Sequence, residues 1–223
     1  ASLEEVELLT PPTPPSASPS PITLVTQCSL DRLDRLVPLL RAWRGPASVG
    51  LYIDAPPTSP EASRAIVTAL SELKGVDGLH ELTAQLTLTV LHPGKGEEHD
   101  RLYPINALRN AALRRASTDL VFLLDVDFLP SANLLRNLSA KPALLHRLTT
   151  SRTALVVPAF EVSPTRSIPK QQAGLAALAQ CSPPAASGFH VNHFPQGHMA
   201  TDFARWFCAS DPYEVDYADC FEP

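Results

Sequence analysis

Several absences narrow what this 223-residue chain can be. No apolar run is long enough to span a bilayer as a helix. Its four cysteines, Cys28, Cys181, Cys208 and Cys220, are widely spaced, and no C-x-x-C pair exists. That spacing argues against a structural zinc site and leaves both disulfides and reduced thiols open. Basic residues are not in excess: the formal net charge is -5, so nothing suggests a nucleic-acid face. A local arginine or a bound metal can still hold an anionic substrate against that charge. No internal repeat is visible. The first residue is Ala1 rather than Met, so the chain is expected to be either a fragment or one whose targeting segment has been removed. The triplet Asn137-Leu138-Ser139 is a glycosylation sequon, a pattern common by chance.

What is present divides in two. Residues 11–21 hold six prolines in eleven positions and read as an extended spacer. Residues 1–21 are therefore expected to be a stem or linker, with the folded domain covering 22–223. The hydrophobic fraction of 44% suits a globular core of that size.

Within 22–160, strand and helix patterns alternate. Ile22–Thr26 reads as a buried strand and is followed by Leu33, Leu36, Val37 and Leu40 at helical spacing, with Pro38 predicting a kink or a late start. Val49–Ile53 is a second strand. Ser59-Pro60 predicts a helix start, and Gly75 sits where a C-terminal cap belongs. Leu86, Leu88 and Val90 mark a third strand, and Pro104 opens a helix to about Ala116. Leu120–Leu124 is an uninterrupted apolar run, expected to be a central strand. Ala154–Val157 predicts another strand, and Gln171–Gln180 a helix. The order argues an α/β fold with a mainly parallel sheet flanked by helices.

The chemistry concentrates after the apolar run, in Leu123-Leu124-Asp125-Val126-Asp127-Phe128. Ligands of open α/β sheets bind beyond the carboxyl ends of the strands. In extended backbone, residues two apart project to one side, so Asp125 and Asp127 can face one hard divalent cation such as Mg²⁺ or Mn²⁺. The bland alternative is a solvated strand end, because short D-x-D strings are common. A phosphatase of the haloacid dehalogenase type, with Asp125 as nucleophile, is a second functional reading. Its motif normally lies on the first strand with a small residue after the second Asp, whereas here it follows three strands and precedes Phe128. A non-catalytic sugar- or nucleotide-binding domain is a third.

Five segments in order resemble glycosyltransferase family 49, the family of LARGE-type and β-1,4-glucuronyltransferase-like domains. They are Ile22–Gln27 with Asp31-Arg32-Leu33, Tyr103–Asn110, Phe122–Pro130, Val157–Glu161, and Gly197-His198 through Thr201, Phe203 and Trp206 to Pro223. The resemblance implies a GT-A (Rossmann-like) fold, Mn²⁺ or Mg²⁺, a UDP-sugar donor and inverting transfer to a glycan acceptor, with glucuronate as the expected sugar. It also implies a Golgi-lumen enzyme anchored as a type II membrane protein through a segment absent from this chain. The proline-rich stretch would suit the end of its stem.

On a helix, Asn106, Arg109 and Asn110 share one side while Ile105, Leu108 and Ala112 take another. Arg109 can pair with a donor phosphate or a sugar carboxylate. Gln27 and Asp31 follow the first strand, where a nucleoside is expected; strand end and helix cap are their plain alternatives. His198 matches the family and is expected to line the site, whereas His190 and His193 read as packing or loop residues. Glu161 is expected to reach a sugar or to pair with Arg166. An inverting transfer needs a base for the acceptor hydroxyl, and Asp219 and Glu222 are the candidates. The family pattern continues past residue 223, with a Gly-Trp-Asn-containing segment and a later His that completes the metal shell.

Overall fold

The computed structural model describes residues 3–9, 20–74, 85–93, 103–195 and 201–215. It divides into two compact units, Ala1–Thr153 and Ala154–Pro223. The first holds a five-stranded sheet of β1 (Leu3–Leu9), β2 (Ile22–Ser29), β3 (Ala47–Tyr52), β4 (Leu86–Pro93) and β5 (Leu120–Leu123) in the order β1-β4-β3-β2-β5. Strands β2 to β5 run parallel, and β1 closes one edge antiparallel to β4. The expected α/β architecture with a mainly parallel sheet is therefore present. Leu3–Leu9, part of the segment read as a stem, belongs to this sheet.

Helices α1 (Leu33–Trp43), α2 (Pro60–Lys74) and α3 (Ile105–Arg114) accompany the sheet, followed by α4 (Leu134–Ser139) and α5 (Pro142–Thr150). Helix α1 starts late, after a 3₁₀ turn at Leu30–Arg32, and continues through Pro38 as one element. Its Leu33, Leu36, Leu39, Leu40 and Trp43 are buried, whereas Val37 is only partly so. Arg44 then adopts a left-handed conformation, φ 56°, and its N–H returns to the Leu40 carbonyl at 3.0 Å. Ser59 caps α2 as expected, its Oγ accepting from the Ala62 N–H at 3.0 Å. Gly75 lies outside the described residues.

The core of this unit is Leu24, Leu36, Leu39, Val49, Leu51, Leu86, Leu88 and Val90, all fully buried. Each such side chain contributes roughly 1.5–3 kcal/mol of transfer free energy relative to exposure. Helix α3 lies unusually close to the sheet. A Cβ built on Gly50 would stand 2.6 Å from the Leu108 carbonyl oxygen, so glycine is what lets the helix backbone touch β3. Ser48 Oγ donates to the Ala112 carbonyl at 2.7 Å and ties the other end of the same contact.

Three expectations require correction. Leu120–Leu124 is not a central strand: β5 is the outer neighbour of β2 among the described strands. Its apolar run hid an alternation, with Leu120 and Phe122 packed against the core while Val121 and Leu123 stay 40% and 48% exposed. Ala154–Val157 forms no strand. It pairs with neither described sheet, and Val156 and Val157 remain exposed. The third concerns the backbone that carries the acid pair. It is not extended there, because the Phe128 N–H donates to the Asp125 carbonyl at 3.1 Å and closes a turn.

The second unit contains a two-stranded antiparallel sheet, β6 (Phe160–Val162) with β7 (Ala186–Gly188), and helices α6 (Gln172–Gln180) and α7 (Phe203–Cys208). The expected helix at 171–180 is α6. Phe160 is its packing centre, in ring contact with Phe203, Trp206 and Phe207.

Candidate functional site

Parallel pairing aligns the carboxyl ends of β2, β3, β4 and β5 on one edge of the sheet. Strand β2 outruns β5 there. Val25 is level with Leu123, so two residues further along Gln27 is level with Asp125. The side chains use that register: Gln27 Nε2 donates to Asp125 Oδ1 at 2.9 Å. Helix α3, lowered onto the sheet at Gly50, brings Arg109 to the same oxygen, with Nη2 at 2.7 Å. Both bonds converge on Oδ1, which leaves Oδ2 without a donor among the described residues.

The electrostatics of Asp125 follow from these contacts. Burial alone would raise its pKa. The hydrogen bonds from Gln27 and Arg109 and the charge of Arg109 outweigh burial and hold it below the usual carboxylate range. Asp125 is thus an ionised oxygen donor at neutral pH. Gln27 is buried, and its Oε1 and the Arg109 Nε are buried without a hydrogen-bond partner among the described residues.

Asp127 is separated from Asp125 by Val126, which is buried in the core. The turn anchors itself through Val126 and presents the acids on either side of it. They do not share a set of partners. Arg32 Nη1 donates to Asp127 Oδ2, and Arg35 Nη1 stands 3.5 Å from Oδ1. The expectation that extended backbone aims both acids at one point is replaced by this divided arrangement. Asp31, Arg32, Asp34, Arg35 and Asp127 line an open polar cleft of about 220 Å³.

The remaining candidates fall as follows. Asp31 does not join Gln27. It lies exposed in the 3₁₀ turn, where Ser29 Oγ donates to it at 2.5 Å and holds its pKa down. Asn106 and Asn110 are exposed on α3, on either side of Arg109 in sequence. Arg109 is engaged by Asp125 rather than standing free for a ligand. Leu108 and Ala112 face the core as expected, with Ala111 beside them, while Ile105 is only partly buried. Glu161 pairs not with Arg166 but with His190, at 3.8 Å, inside the second unit. His190 stacks on Phe189 and meets His193 edge-on, as loop packing requires. His198, Asp219 and Glu222 lie outside the described residues.

The reading of the sequence missed Arg32 and Arg35. Their signal was available. Two arginines three apart at the start of a helix face the positive end of its dipole, and they call for an anion nearby.

The donor chemistry fits a hard divalent cation: two half-exposed carboxylates, one held ionised with an oxygen to spare. No group of three or more His, Cys, Asp or Glu side chains with metal-ligand proximity occurs among the described residues. No described helix is long and apolar enough to cross a membrane. Cys28, Cys181 and Cys208 are free thiols, with Cys28 buried and its pKa pushed up to about 12, first by burial and then by Asp31.

Acids, arginines and an amide thus gather at the carboxyl edge of a parallel α/β sheet, the place where ligands of such folds bind. Comparison with known proteins specifies the kind. Residues 21–97 and 79–222 match the family model described as a glycosyl-transferase for dystroglycan. The chain belongs to this family, glycosyltransferase family 49. It is 38% identical over 214 residues to the xylosyl- and glucuronyltransferase LARGE2 of Mus musculus, covering 96% of this chain and 29% of that protein. Against LARGE2 of Homo sapiens the identity is 38% over 217 residues, covering 96% and 28%. Against LARGE1 of Homo sapiens it is 32% over 210 residues, covering 94% and 26%. The chain thus spans less than a third of the length of these relatives.

Proposed function

We propose that the protein is a metal-dependent inverting glycosyltransferase of GT-A architecture. It transfers a sugar, glucuronate by family expectation, from a UDP-sugar to a glycan acceptor. The observation that carries this reading is Asp125, held ionised between Gln27 and Arg109 at the carboxyl edge of the parallel sheet of a family 49 chain. The relatives named as xylosyl- and glucuronyltransferases support the reaction class. Golgi residence and a type II anchor belong to the same reading, with 22–223 as part of a catalytic domain whose sheet also takes in Leu3–Leu9.

In this reading Asp125 and Asp127 hold Mn²⁺ or Mg²⁺, which supplies charge neutralisation to the departing diphosphate. The protein's own groups do the rest. Gln27 and Arg109 keep Asp125 deprotonated and fix its Oδ1, so that among the described residues' contacts Oδ2 is left for a ligand. Arg109 also places positive charge beside the donor phosphates, with Asn106 and Asn110 offering amides from the same helix. Asp31, at the rim of the polar cleft, takes the nucleoside side, and His198 lines the site. The acceptor base is assigned to the Asp219–Glu222 region. A phosphatase using Asp125 as nucleophile is not favoured, given the family match.

The test is equilibrium binding of UDP to the full chain, with and without Mn²⁺, followed by a transfer screen against UDP-sugars. Mn²⁺ is expected to strengthen UDP binding, and Asp127→Asn to abolish that dependence. Absence of UDP binding under both conditions would sink the proposal.

A further inference from the structure

We infer that Arg32 and Arg35 form an exchange latch. They pair with Asp127 and would release it to a metal when a diphosphate takes their charge. The inference rests on the donor site proposed above and concerns how metal and donor depend on one another.

Three observations carry it. Both oxygens of Asp127 are engaged by guanidinium groups, Oδ2 by Arg32 and Oδ1 by Arg35 at 3.5 Å. A carboxylate so paired has little left to offer a cation, and an approaching divalent ion is repelled by the same arginines. Asp125 is different: its Arg109 and Gln27 bonds meet on one oxygen, and the other has no donor among the described residues. The two acids of the pair are therefore not equivalent, and Asp127 is the one that must be freed. Second, the latch is accessible. Arg32, Arg35 and Asp127 side chains are 50%, 57% and 42% exposed, and they line an open cleft rather than a packed interior. Breaking these pairs thus costs little, as exposed ion pairs do. Third, the arginines cannot simply be left without an anion. They sit at the positive end of α1, and Asp31 and Asp34 beside them are already drawn in: Ser29 holds Asp31, and Asp34 reaches Arg35 only at 3.7 Å. A diphosphate offers several oxygens to planar guanidinium donors and replaces one carboxylate with a better partner.

The consequence is reciprocal coupling. Metal alone must compete with two arginines for Asp127, so it binds weakly. Diphosphate removes the competitors, so each ligand strengthens the other by the same factor. The arginines act through Asp127 and are positioning residues.

The experiment measures Mn²⁺ affinity by electron paramagnetic resonance, without nucleotide and with UDP, for the full chain and two double variants. In Arg32→Gln/Arg35→Gln, Mn²⁺ affinity without nucleotide should rise about three- to tenfold. UDP affinity in Mn²⁺ should fall, and the coupling factor should shrink accordingly. Arg32→Lys/Arg35→Lys keeps the charge without the planar fork and should fall between the two. Raising salt should increase metal-alone affinity of the wild type relative to the glutamine variant, because it screens the latch. Unchanged or weaker Mn²⁺ binding in the glutamine variant, with UDP binding intact in the wild type, overturns the latch alone. If the wild type binds neither UDP nor Mn²⁺, the transferase reading fails and the latch with it. Thermal unfolding of each variant confirms that these exposed positions leave the fold intact.

Discussion

Replacing Arg109 with leucine tests the electrostatic account of Asp125 directly. Leucine keeps much of the aliphatic packing on α3 but removes the 2.7 Å bond and the charge. A charge-assisted hydrogen bond contributes about 1.5–3 kcal/mol when well shielded. Here the partners are 28% and 41% exposed, so screening reduces the expected loss to about 1 kcal/mol at neutral pH. The pH dependence carries more information than the size. In the wild type the folded-state pKa of Asp125 lies below its unfolded value. Its contribution to stability is therefore fully present above the unfolded pKa, near 3.9 in model peptides (about 4), and is lost as pH falls through the folded pKa. Without Arg109, burial is opposed only by Gln27, so the Asp125 pKa must rise. The stability gap between wild type and Arg109→Leu should then narrow as pH falls and vanish once Asp125 is protonated in both. Urea unfolding from pH 7.5 down to the acid limit measures the gap, and carbonyl-carbon NMR of Asp125 reads the pKa. An Asp125 pKa that stays where it was, or a gap that widens in acid, would refute the reasoning.

Further outcomes are expected elsewhere in the same unit. Gly50→Ala places a methyl 2.6 Å from the Leu108 carbonyl, so α3 must lift from the sheet. Overpacking of this kind costs about 1–3 kcal/mol, read as a lower urea midpoint, and it should loosen the Arg109–Asp125 bond enough to raise the Asp125 pKa as well. An unchanged midpoint would show that the helix–strand contact is not tight. Buried Cys28, with its thiol pushed up to about 12, should resist alkylation in the native protein at pH 8, whereas exposed Cys208 reacts. Mass spectrometry after iodoacetamide treatment separates them, and rapid native labelling of Cys28 would contradict its burial.

The alternation of β-branched runs and helical spacing was enough to read an α/β fold, because one-sided or complete burial writes itself into local sequence. The Ser59 cap, the buried faces of α1 and α3, and the strand-end position of Asp125 were legible for the same reason. What local pattern could not supply was order across the sheet. An apolar run such as Leu120–Leu124 looks the same in the middle of a sheet as at its side, and only the packed structure shows that the face carrying Val121 and Leu123 is left half-exposed while Leu120 and Phe122 meet the core. Nor could spacing say that Leu3–Leu9 would pair with β4, Leu3 with Pro93 and Leu9 with Leu88.

The site divides along the same line. The sequence determined that Asp125 and Asp127 end an apolar strand and that Arg109 shares a helical side with Asn106 and Asn110. The tertiary structure decided which atoms meet. The extra length of β2 brings Gln27 level with Asp125, and Gly50 lowers α3 so that Arg109 reaches the same oxygen. A turn around buried Val126 turns Asp127 toward Arg32 and Arg35 instead. Residue type and spacing reach a few positions along the chain, whereas the charge state of a carboxylate depends on neighbours within a few ångströms that the chain supplies from distant elements.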